Sequence, residues 1–366
     1  MELCDLAPGY VRAIAPYQPG KPISELAREM GLNPAAIVKL ASNENALGPS
    51  PLALEAIRVC LPELARYPDG NGFALKSALA KKYGVQLQQV VLGNGSNDIL
   101  EFAARAFLKP GDSAVFSQHA FAVYPLVVQA VGARGIEVPA KNFGNDAQAL
   151  LAAIEDTTRL LFIANPNNPT GTLILPDALQ ALIEQVPRQV LVVLDEAYYE
   201  FLAPHVAPKS IEWLARFPNL LIARTFSKAY GLAGLRVGFG LAQPSVVEML
   251  NRVRQPFNVS SVAQAGALAA LGDGQHLQRS IALNTDGMRQ ICAGLQRLGL
   301  DFIPSFGNFL SFRVGNAVAI YQRLLKRGVI VRPVANYGMP DYLRVSIGLE
   351  SENEIFLSAL AGALQE

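Results

Sequence analysis

The feature that most limits the possible folds is a series of short apolar segments between residues 85 and 245, separated by longer stretches of helical periodicity. The segment Val190-Leu191-Val192-Val193-Leu194 is apolar throughout, as is typical of a strand buried on both faces of a parallel sheet. This alternation predicts an α/β fold with a mostly parallel seven-stranded sheet flanked by helices. The predicted strands cover residues 89–92, 113–116, 135–138, 159–164, 189–194, 219–224 and 236–241.

The pattern changes after Ser261, which predicts a smaller α+β C-terminal domain. Residues 1–40 contain Pro16, Pro19 and Pro22 and have no core pattern of their own. We therefore expect an extended N-terminal arm that packs on another element or on a second subunit. The expected divisions are an arm at 1–40, a large domain at 41–258 and a small domain at 259–366. Within the small domain, helices are predicted at 262–271 and 278–298, and strands at 309–312, 329–331 and 343–347.

The charge balance indicates the class of ligand. The chain has 31 Lys and Arg against 30 Asp and Glu residues, and it has no extended basic tract. A polybasic surface for nucleic acid or for a membrane is therefore excluded, and a small-molecule ligand is indicated. The long uncharged run at 113–133 is interrupted by His119 and Pro125, so no membrane span is predicted.

The N-terminus and the cysteines indicate the cellular compartment. Glu2 and Asp5 do not fit the basic start of a signal peptide, and we expect a cytoplasmic protein. Cys4, Cys60 and Cys292 are odd in number and far apart, which favours reduced thiols over disulfides or a metal site.

Polar clusters follow several of the predicted strands. Because ligands bind beyond the carboxyl ends of parallel strands, we expect these clusters to converge at one edge of the sheet. Each cluster alone is ambiguous; a Gly-Asn-Gly turn, for example, is also an ordinary helix cap. A carboxylate directly after a buried strand, however, needs a cationic or hydrogen-bonding partner. The clusters are Gly93 to Asp98, Asn165 to Gly171, Asp195 to Tyr198, and Thr225 to Lys228 with Arg236 nearby.

Taken together, the clusters contain the groups that bind pyridoxal 5′-phosphate (PLP). Lys228 can form a Schiff base with the aldehyde, and Asp195 can keep the ring nitrogen protonated. Asn and Tyr side chains can hydrogen-bond the phenolate oxygen, and a helix start with hydroxyls and an arginine can bind the phosphate. Phe121, after the second predicted strand, can stack on the ring.

These residues resemble those of the fold-type I PLP-dependent aminotransferases (class II aminotransferase family), and within them the histidinol-phosphate aminotransferases. The similarity covers nearly the whole chain. Four motifs outside the central clusters also carry the similarity: Ala15-Pro16-Tyr17, Leu40 to Asn45, Arg66-Tyr67-Pro68-Asp69 and Tyr342 to Gly348.

The resemblance implies a PLP cofactor held by the large domain. Lys228 would be the Schiff-base lysine, Asp195 the partner of the ring nitrogen, and Asn168 and Tyr198 the partners of the phenolate oxygen. Tyr67 would reach the cofactor phosphate of a neighbouring subunit, so a homodimer is implied. The remaining phosphate contacts would be Gly95, Ser96, Asn97, Thr225, Ser227 and Arg236.

The resemblance also implies where substrates bind. Arg344 would hold the anionic group of either substrate, because its planar fork suits both carboxylate and phosphate. Arg332 and Tyr17 would assist it, and Asn43 and Asn308 would line the substrate side.

The implied reaction is transamination of L-histidinol phosphate with 2-oxoglutarate by a ping-pong mechanism, giving imidazole-acetol phosphate and L-glutamate in histidine biosynthesis. An aromatic-amino-acid aminotransferase, or dual specificity, is the alternative, since Phe121 replaces a frequent tyrosine and residues 329–340 resemble a branch associated with aromatic substrates. A phospho-amino-acid decarboxylase and a non-catalytic PLP-binding regulator are further alternatives. The regulator would need a DNA-binding module, and residues 1–40 are too short and proline-rich for a winged helix.

Overall fold

The computed structural model describes residues 2–366; Met1 of the predicted arm lies outside the described residues. The strands are β1 Val38–Lys39, β2 Val90–Gly93, β3 Ser113–Ser117, β4 Arg134–Val138, β5 Thr158–Ala164, β6 Leu191–Asp195, β7 Leu220–Thr225, β8 Gly238–Ala242, β9 Phe302–Ile303, β10 Phe309–Arg313, β11 Val329–Ile330, β12 Arg332–Pro333 and β13 Tyr342–Ser346. The helices are α1 Gly9–Arg12, α2 Ile23–Met30, α3 Pro51–Cys60, α4 Phe73–Tyr83, α5 Ser96–Phe107, α6 Val123–Ala130, α7 Ala147–Ala152, α8 Pro176–Gln185, α9 Ser210–Trp213, α10 Pro244–Val253, α11 Ser261–Gly272, α12 Gly274–Arg297, α13 Ala317–Lys326 and α14 Glu350–Gln365.

The central sheet has seven strands in the order β2-β8-β7-β6-β5-β3-β4. Strand β8 runs antiparallel to both of its neighbours, and the other pairs are parallel. The predicted mostly parallel seven-stranded sheet is confirmed. Every residue of β6 is buried, as its uninterrupted apolar sequence predicts.

Helices cover both faces of this sheet because alternate strand residues point to opposite sides. Val193 packs with Phe102 of α5 and Tyr124 of α6 on one face. Ile222 packs with Leu75 of α4 and other helices on the opposite face. The carboxyl ends of β5, β6 and β7 therefore open onto one edge, between two filled layers.

The C-terminal part builds a smaller sheet in the order β12-β13-β10-β9, with antiparallel neighbours. The single strand expected at 329–331 is wrong: Val329–Ile330 pairs with β1, and Arg332–Pro333 pairs with β13. Two strands of two residues, β1 and β9, were not predicted, because they are too short for a periodic signal. Domain boundaries at 40 and 258 stay a prediction.

The N-terminal arm is only partly extended. No helix or strand covers residues 14–22, as expected of the proline-rich segment. Helix α2, however, buries Leu26 and Ala27 against Ile330 and Leu325 of the same chain. The expectation that 1–40 is an extended arm is wrong for α2, which has an apolar face and packs against α13 and β11.

Within residues 2–366, none of the helices combines the length and the apolar character that a membrane crossing requires.

Candidate active site

A cavity opens where β5, β6 and β7 end, and the arm and the smaller sheet close its other side. All four polar clusters that were predicted to converge contribute to its wall. The predicted site residues that line it are Tyr17, Asn43, Ser96, Asn97, Phe121, Asn168, Asp195, Tyr198, Thr225, Ser227, Lys228, Arg236, Arg332 and Arg344.

Lys228 lies in the loop after β7. The loop is fixed by two hydrogen bonds, from Phe226 N to Val237 O at 3.0 Å and from Ser227 N to Thr225 Oγ1 at 3.1 Å. The Lys228 Nζ donates to Ser42 O at 3.0 Å. Burial lowers the pKa of Lys228 to about 7, and the positive charge of Arg344 acts in the same direction. A buried amine that is readily neutral near pH 7 is suited to nucleophilic attack and to proton transfer.

Asp195 ends β6 and is 5% exposed. Tyr124 OH donates to its Oδ2 at 2.9 Å, and Ala197 N donates to its Oδ1 at 3.2 Å. Burial raises the pKa of Asp195 to about 6, while the hydrogen bond from Tyr124 counteracts this. The carboxylate therefore has neutral donors around it, and a cation would complete its environment.

Tyr198 joins the two halves of the cavity through its hydroxyl oxygen. Asn168 Nδ2 donates to it at 3.1 Å, and Asn43 Nδ2 donates at 2.9 Å. Since both amides donate, the phenolic proton remains available for another acceptor. Burial raises the pKa of Tyr198, which keeps the hydroxyl protonated.

The start of α5 forms an anion cradle together with Arg236. Gly95 has φ 85°, and a Cβ there would lie 2.7 Å from Arg236 Nη2, so the close approach requires glycine. Ser96 begins a helix whose first amide groups have no partner within the helix. Arg236 Nη1 lies 3.4 Å from Ser227 Oγ, which places a guanidinium and a hydroxyl beside these amides.

Two arginines of neighbouring strands face the cavity from the smaller sheet. Arg344 on β13 donates from Nη1 to Asn168 Oδ1 at 2.5 Å and from Nη2 to Ala41 O at 2.8 Å. Its Nε is buried without a hydrogen-bond partner among the described residues. Arg332, directly opposite it in the register, donates to Gln18 O at 2.6 Å and lies 5.6 Å from the Tyr17 ring. These contacts to neutral groups leave the positive charges available to an anion.

Comparison with known proteins decides the family. Residues 35–360 match the family described as aminotransferase class I and II. The chain belongs to the class I and II aminotransferases.

Relatives of this aminotransferase cover it almost completely. It is 63% identical over 366 residues to histidinol-phosphate aminotransferase 2 of Nitrosospira multiformis, covering 100% of this chain and 93% of the relative. It is 64% identical to the histidinol-phosphate aminotransferase of Methylobacillus flagellatus, covering 99% and 98%. The histidinol-phosphate aminotransferase of Sinorhizobium meliloti, solved in complex with pyridoxal 5′-phosphate, superposes with a TM-score of 0.90 at 30% identity, covering 98% of this chain and 97% of that one.

Three predicted site residues of this aminotransferase, Gly95, Tyr67 and Asn308, do not line the cavity. Tyr67 is 83% exposed and stacks on Phe257 with ring centroids 4.7 Å apart. Asn308 is buried and donates from Nδ2 to Asn43 O at 3.0 Å, so it supports the loop that carries Asn43.

Other lining residues of the aminotransferase cavity were missed from the sequence. Tyr337, in a single 3₁₀ turn after β12, is 7% exposed, and Ser42 and Pro166 contribute from the loops that carry Asn43 and Asn168. The contact of Tyr124 with Asp195 was also missed. The available signal was a tyrosine in a helix that packs on the sheet, since a fully buried hydroxyl needs a partner.

Proposed function

We propose that this aminotransferase uses PLP to transfer the amino group of L-histidinol phosphate to 2-oxoglutarate, giving imidazole-acetol phosphate and L-glutamate. One observation carries the proposal. Lys228, Asp195 and the anion cradle lie in one cavity, opposite two arginines with no carboxylate partner within 4.0 Å among residues 2–366.

The residues of the cavity fit PLP. Asp195 lacks a cationic partner, as a carboxylate reserved for a ring nitrogen should, and Tyr198 has a proton to donate to a phenolate oxygen. Ser96, Thr225 and Arg236 supply amide, hydroxyl and guanidinium donors for a phosphate. When bound, PLP supplies an aldehyde for the lysine and a ring that accepts the electron pair left on the substrate Cα.

The side chains of this chain then divide the work. Lys228 would take the proton from the substrate Cα and return it to the carbon on the other side of the transferred nitrogen, and its lowered pKa allows both transfers near neutral pH. Asp195 would keep the ring nitrogen protonated, so that the ring can accept the electron pair left on the Cα. The hydroxyl of Tyr198 and the amides of Asn43 and Asn168 that contact it would orient the PLP ring.

The substrate assignment is supported by the arginines and by the names of the relatives. A ping-pong transaminase must bind two anionic substrates in turn, here a phosphate ester and a dicarboxylate. Arg344 and Arg332 present planar donor groups that pair with either anion. Relatives of 63% and 64% identity carry the name histidinol-phosphate aminotransferase, and none of the names given above favours aromatic amino acids.

We further propose that the enzyme is a cytoplasmic homodimer. Large apolar side chains are exposed on and after α3, where Leu52, Val59 and Leu64 are 57%, 70% and 56% exposed. Tyr67, which the family resemblance assigns to a partner's cofactor phosphate, follows three residues later and is 83% exposed. Several large apolar side chains exposed in one segment are typical of a subunit interface.

A half-reaction panel tests the function. The PLP-loaded enzyme is mixed with histidinol phosphate, phenylalanine, tyrosine or aspartate in the absence of a keto acid, and loss of the visible cofactor band is followed. We expect histidinol phosphate to convert the cofactor fastest and 2-oxoglutarate to restore it. Faster conversion by phenylalanine would overturn the substrate assignment, and release of carbon dioxide would identify a decarboxylase. Light scattering at assay concentration tests the dimer.

A further inference from the structure

A buried ion pair lies directly behind the cavity and lines none of it. Arg224 Nε and Nη2 donate to Glu196 Oε2 at 2.9 and 2.7 Å. The side chains are 3% and 0% exposed. Neither residue contacts the cavity that holds Lys228.

The two residues are chain neighbours of site residues. Glu196 follows Asp195 at the end of β6, and Arg224 precedes Thr225 at the end of β7. Successive residues of a strand point to opposite faces, so the pair lies on the face opposite Asp195 and Thr225. The two strand ends are also joined by the hydrogen bond from Glu196 N to Ala223 O at 2.9 Å.

Aromatic rings enclose the guanidinium. The Arg224 Cζ lies 3.6 Å from the Tyr199 ring centroid and 5.2 Å from that of Tyr83. The carboxylate fixes the in-plane position of the guanidinium, and the rings restrict its movement out of the plane. The pair is therefore held in one arrangement.

Stability alone does not account for this arrangement. Removing two charges from water costs about as much as their attraction returns, so an apolar pair of similar volume would serve equally well. Directional hydrogen bonds differ from apolar contacts because they tie one strand end to the other at a defined distance. Asp195 and Thr225 are the chain neighbours of the pair at these same strand ends, so the spacing of the strand ends also sets their separation on the other face.

We propose that Glu196 and Arg224 are positioning residues, which lock the ends of β6 and β7 so that Asp195 and the phosphate-binding loop meet the two ends of the same PLP molecule. This inference rests on the proposed function, because it takes PLP as the ligand. The pair acts through its neighbours in the chain and does not touch the cofactor.

The test compares Arg224→Lys and Glu196→Gln with Ile222→Val, a control on the same face of β7. Arg224→Lys keeps the charge and loses the planar fork, whereas Glu196→Gln keeps the shape and loses the charge. Ile222 is buried in the apolar core, so its shortening destabilises the same strand without touching the pair. Three quantities are measured for each protein. They are the dissociation constant for PLP binding to the apoenzyme, the midpoint of the pH-dependent change in the visible spectrum of the bound cofactor, and the midpoint temperature of unfolding.

We expect both pair variants to weaken PLP binding by about tenfold, since a displacement of the order of an ångström at a binding group has effects of at least this size. We also expect them to move the spectral midpoint. Ile222→Val should lower thermal stability and leave both site readouts unchanged. If the pair variants lose stability but match the control in PLP affinity and spectral midpoint, the pair is merely structural and the proposal is wrong.

Two further comparisons keep the outcome interpretable. Should Arg224→Lys fail to fold, Tyr199→Leu is judged by the same criterion, because it removes the ring at 3.6 Å and leaves the ion pair in place. Failure of the wild-type protein to bind PLP would overturn the proposed function itself. Normal wild-type binding with pair variants that behave like the control overturns only the positioning role.

Discussion

Buried or half-buried charges lie on both sides of the ends of β6 and β7, and the two groups differ in their partners. On the cavity face, Lys228, Asp195 and Arg344 have neutral partners: a backbone carbonyl, a phenol and an amide. On the rear face, Glu196 and Arg224 neutralise each other directly. The charges on the cavity face need a ligand to balance them, whereas the charges on the rear face balance each other.

The pKa values reflect this difference. Burial without an adjacent counter-charge lowers the pKa of Lys228 to about 7 and raises that of Asp195 to about 6, so both groups move towards their neutral forms. Burial also acts to lower the pKa of Arg224, but the charges of Glu196 and Glu200, the nearby Tyr83 and the hydrogen bonds to Glu196 together outweigh it and raise that pKa. Burial raises the pKa of Glu196, so within the pair it is the arginine that is held in its charged form. Buried charge alone therefore does not identify a functional site. A buried charge without a counter-charge does.

The largest effect is expected from Lys228→Ala. The substitution removes the only amine proposed to exchange the Cα proton, so turnover should fall by about 10⁴-fold or more. The visible band of the lysine-bound cofactor should disappear, while circular dichroism stays that of the folded protein. Stopped-flow and steady-state assays check both. A yellow, fully active Lys228→Ala protein would contradict the assignment.

Arg344→Lys tests whether the unpaired cation on the substrate side needs its fork as well as its charge. We expect KM to rise by about 10- to 100-fold for histidinol phosphate and glutamate alike, because a charge-assisted hydrogen bond is lost from each complex. Arg313→Lys is the matched control. Arg313 lies on the neighbouring β10, and its side chain is 56% exposed and pairs with Asp341, so KM should change by less than about twofold. Equal effects of the two substitutions would remove Arg344 from the substrate site.

The pH dependence of cofactor binding follows from Lys228. The amine attacks only when neutral, so the rate at which the apoenzyme takes up PLP should rise with pH through a midpoint near 7. Arg344 lowers the pKa of Lys228, so Arg344→Gln should move the midpoint to higher pH. A midpoint that stays in place, or moves to lower pH, would show that the cation of Arg344 does not act on the lysine.

The site residues on the cavity face could be predicted from the sequence, whereas the ion pair on the rear face could not. The reason is physical. Asp195 could be singled out because a carboxylate after a buried strand needs a partner. Lys228 and the glycines of the cradle are ambiguous alone, but their clusters follow strands of one sheet and together match one cofactor. Glu196 and Arg224 look like ordinary charged residues. They are 28 positions apart and meet only through the register of β6 and β7, which no local pattern specifies.

The fold shows the same division between local and long-range signals. Most strands of the central sheet follow short apolar runs, and the positions of all seven agree with the predicted segments to within a few residues. Strands β1, β11 and β12 are two residues long and are defined by their partners rather than by periodicity. The packing of α2 against Ile330 likewise depends on the distant β11, so the proline-rich sequence around it predicted an arm instead.

The smallest effect is expected at Tyr124, the neutral hydrogen-bonding partner of Asp195, which was not predicted from the sequence. Tyr124→Phe removes the 2.9 Å hydrogen bond to Asp195 and keeps the ring that stacks on Phe162. Because Tyr124 lowers the pKa of Asp195, its loss should raise that pKa further, and PLP affinity should begin to weaken at a higher pH as the solution is acidified. At neutral pH we expect a loss of about three- to tenfold in kcat/KM, because one hydrogen bond to the carboxylate is lost while that from Ala197 N remains. The measurement is PLP affinity and kcat/KM between pH 5 and 8, with Tyr321→Phe on α13, which does not line the cavity, as control. A pH profile identical to that of the wild type would show that Asp195 does not depend on this phenol, and the contrast between lone and paired buried charges would then rest on Lys228 and Arg344 alone.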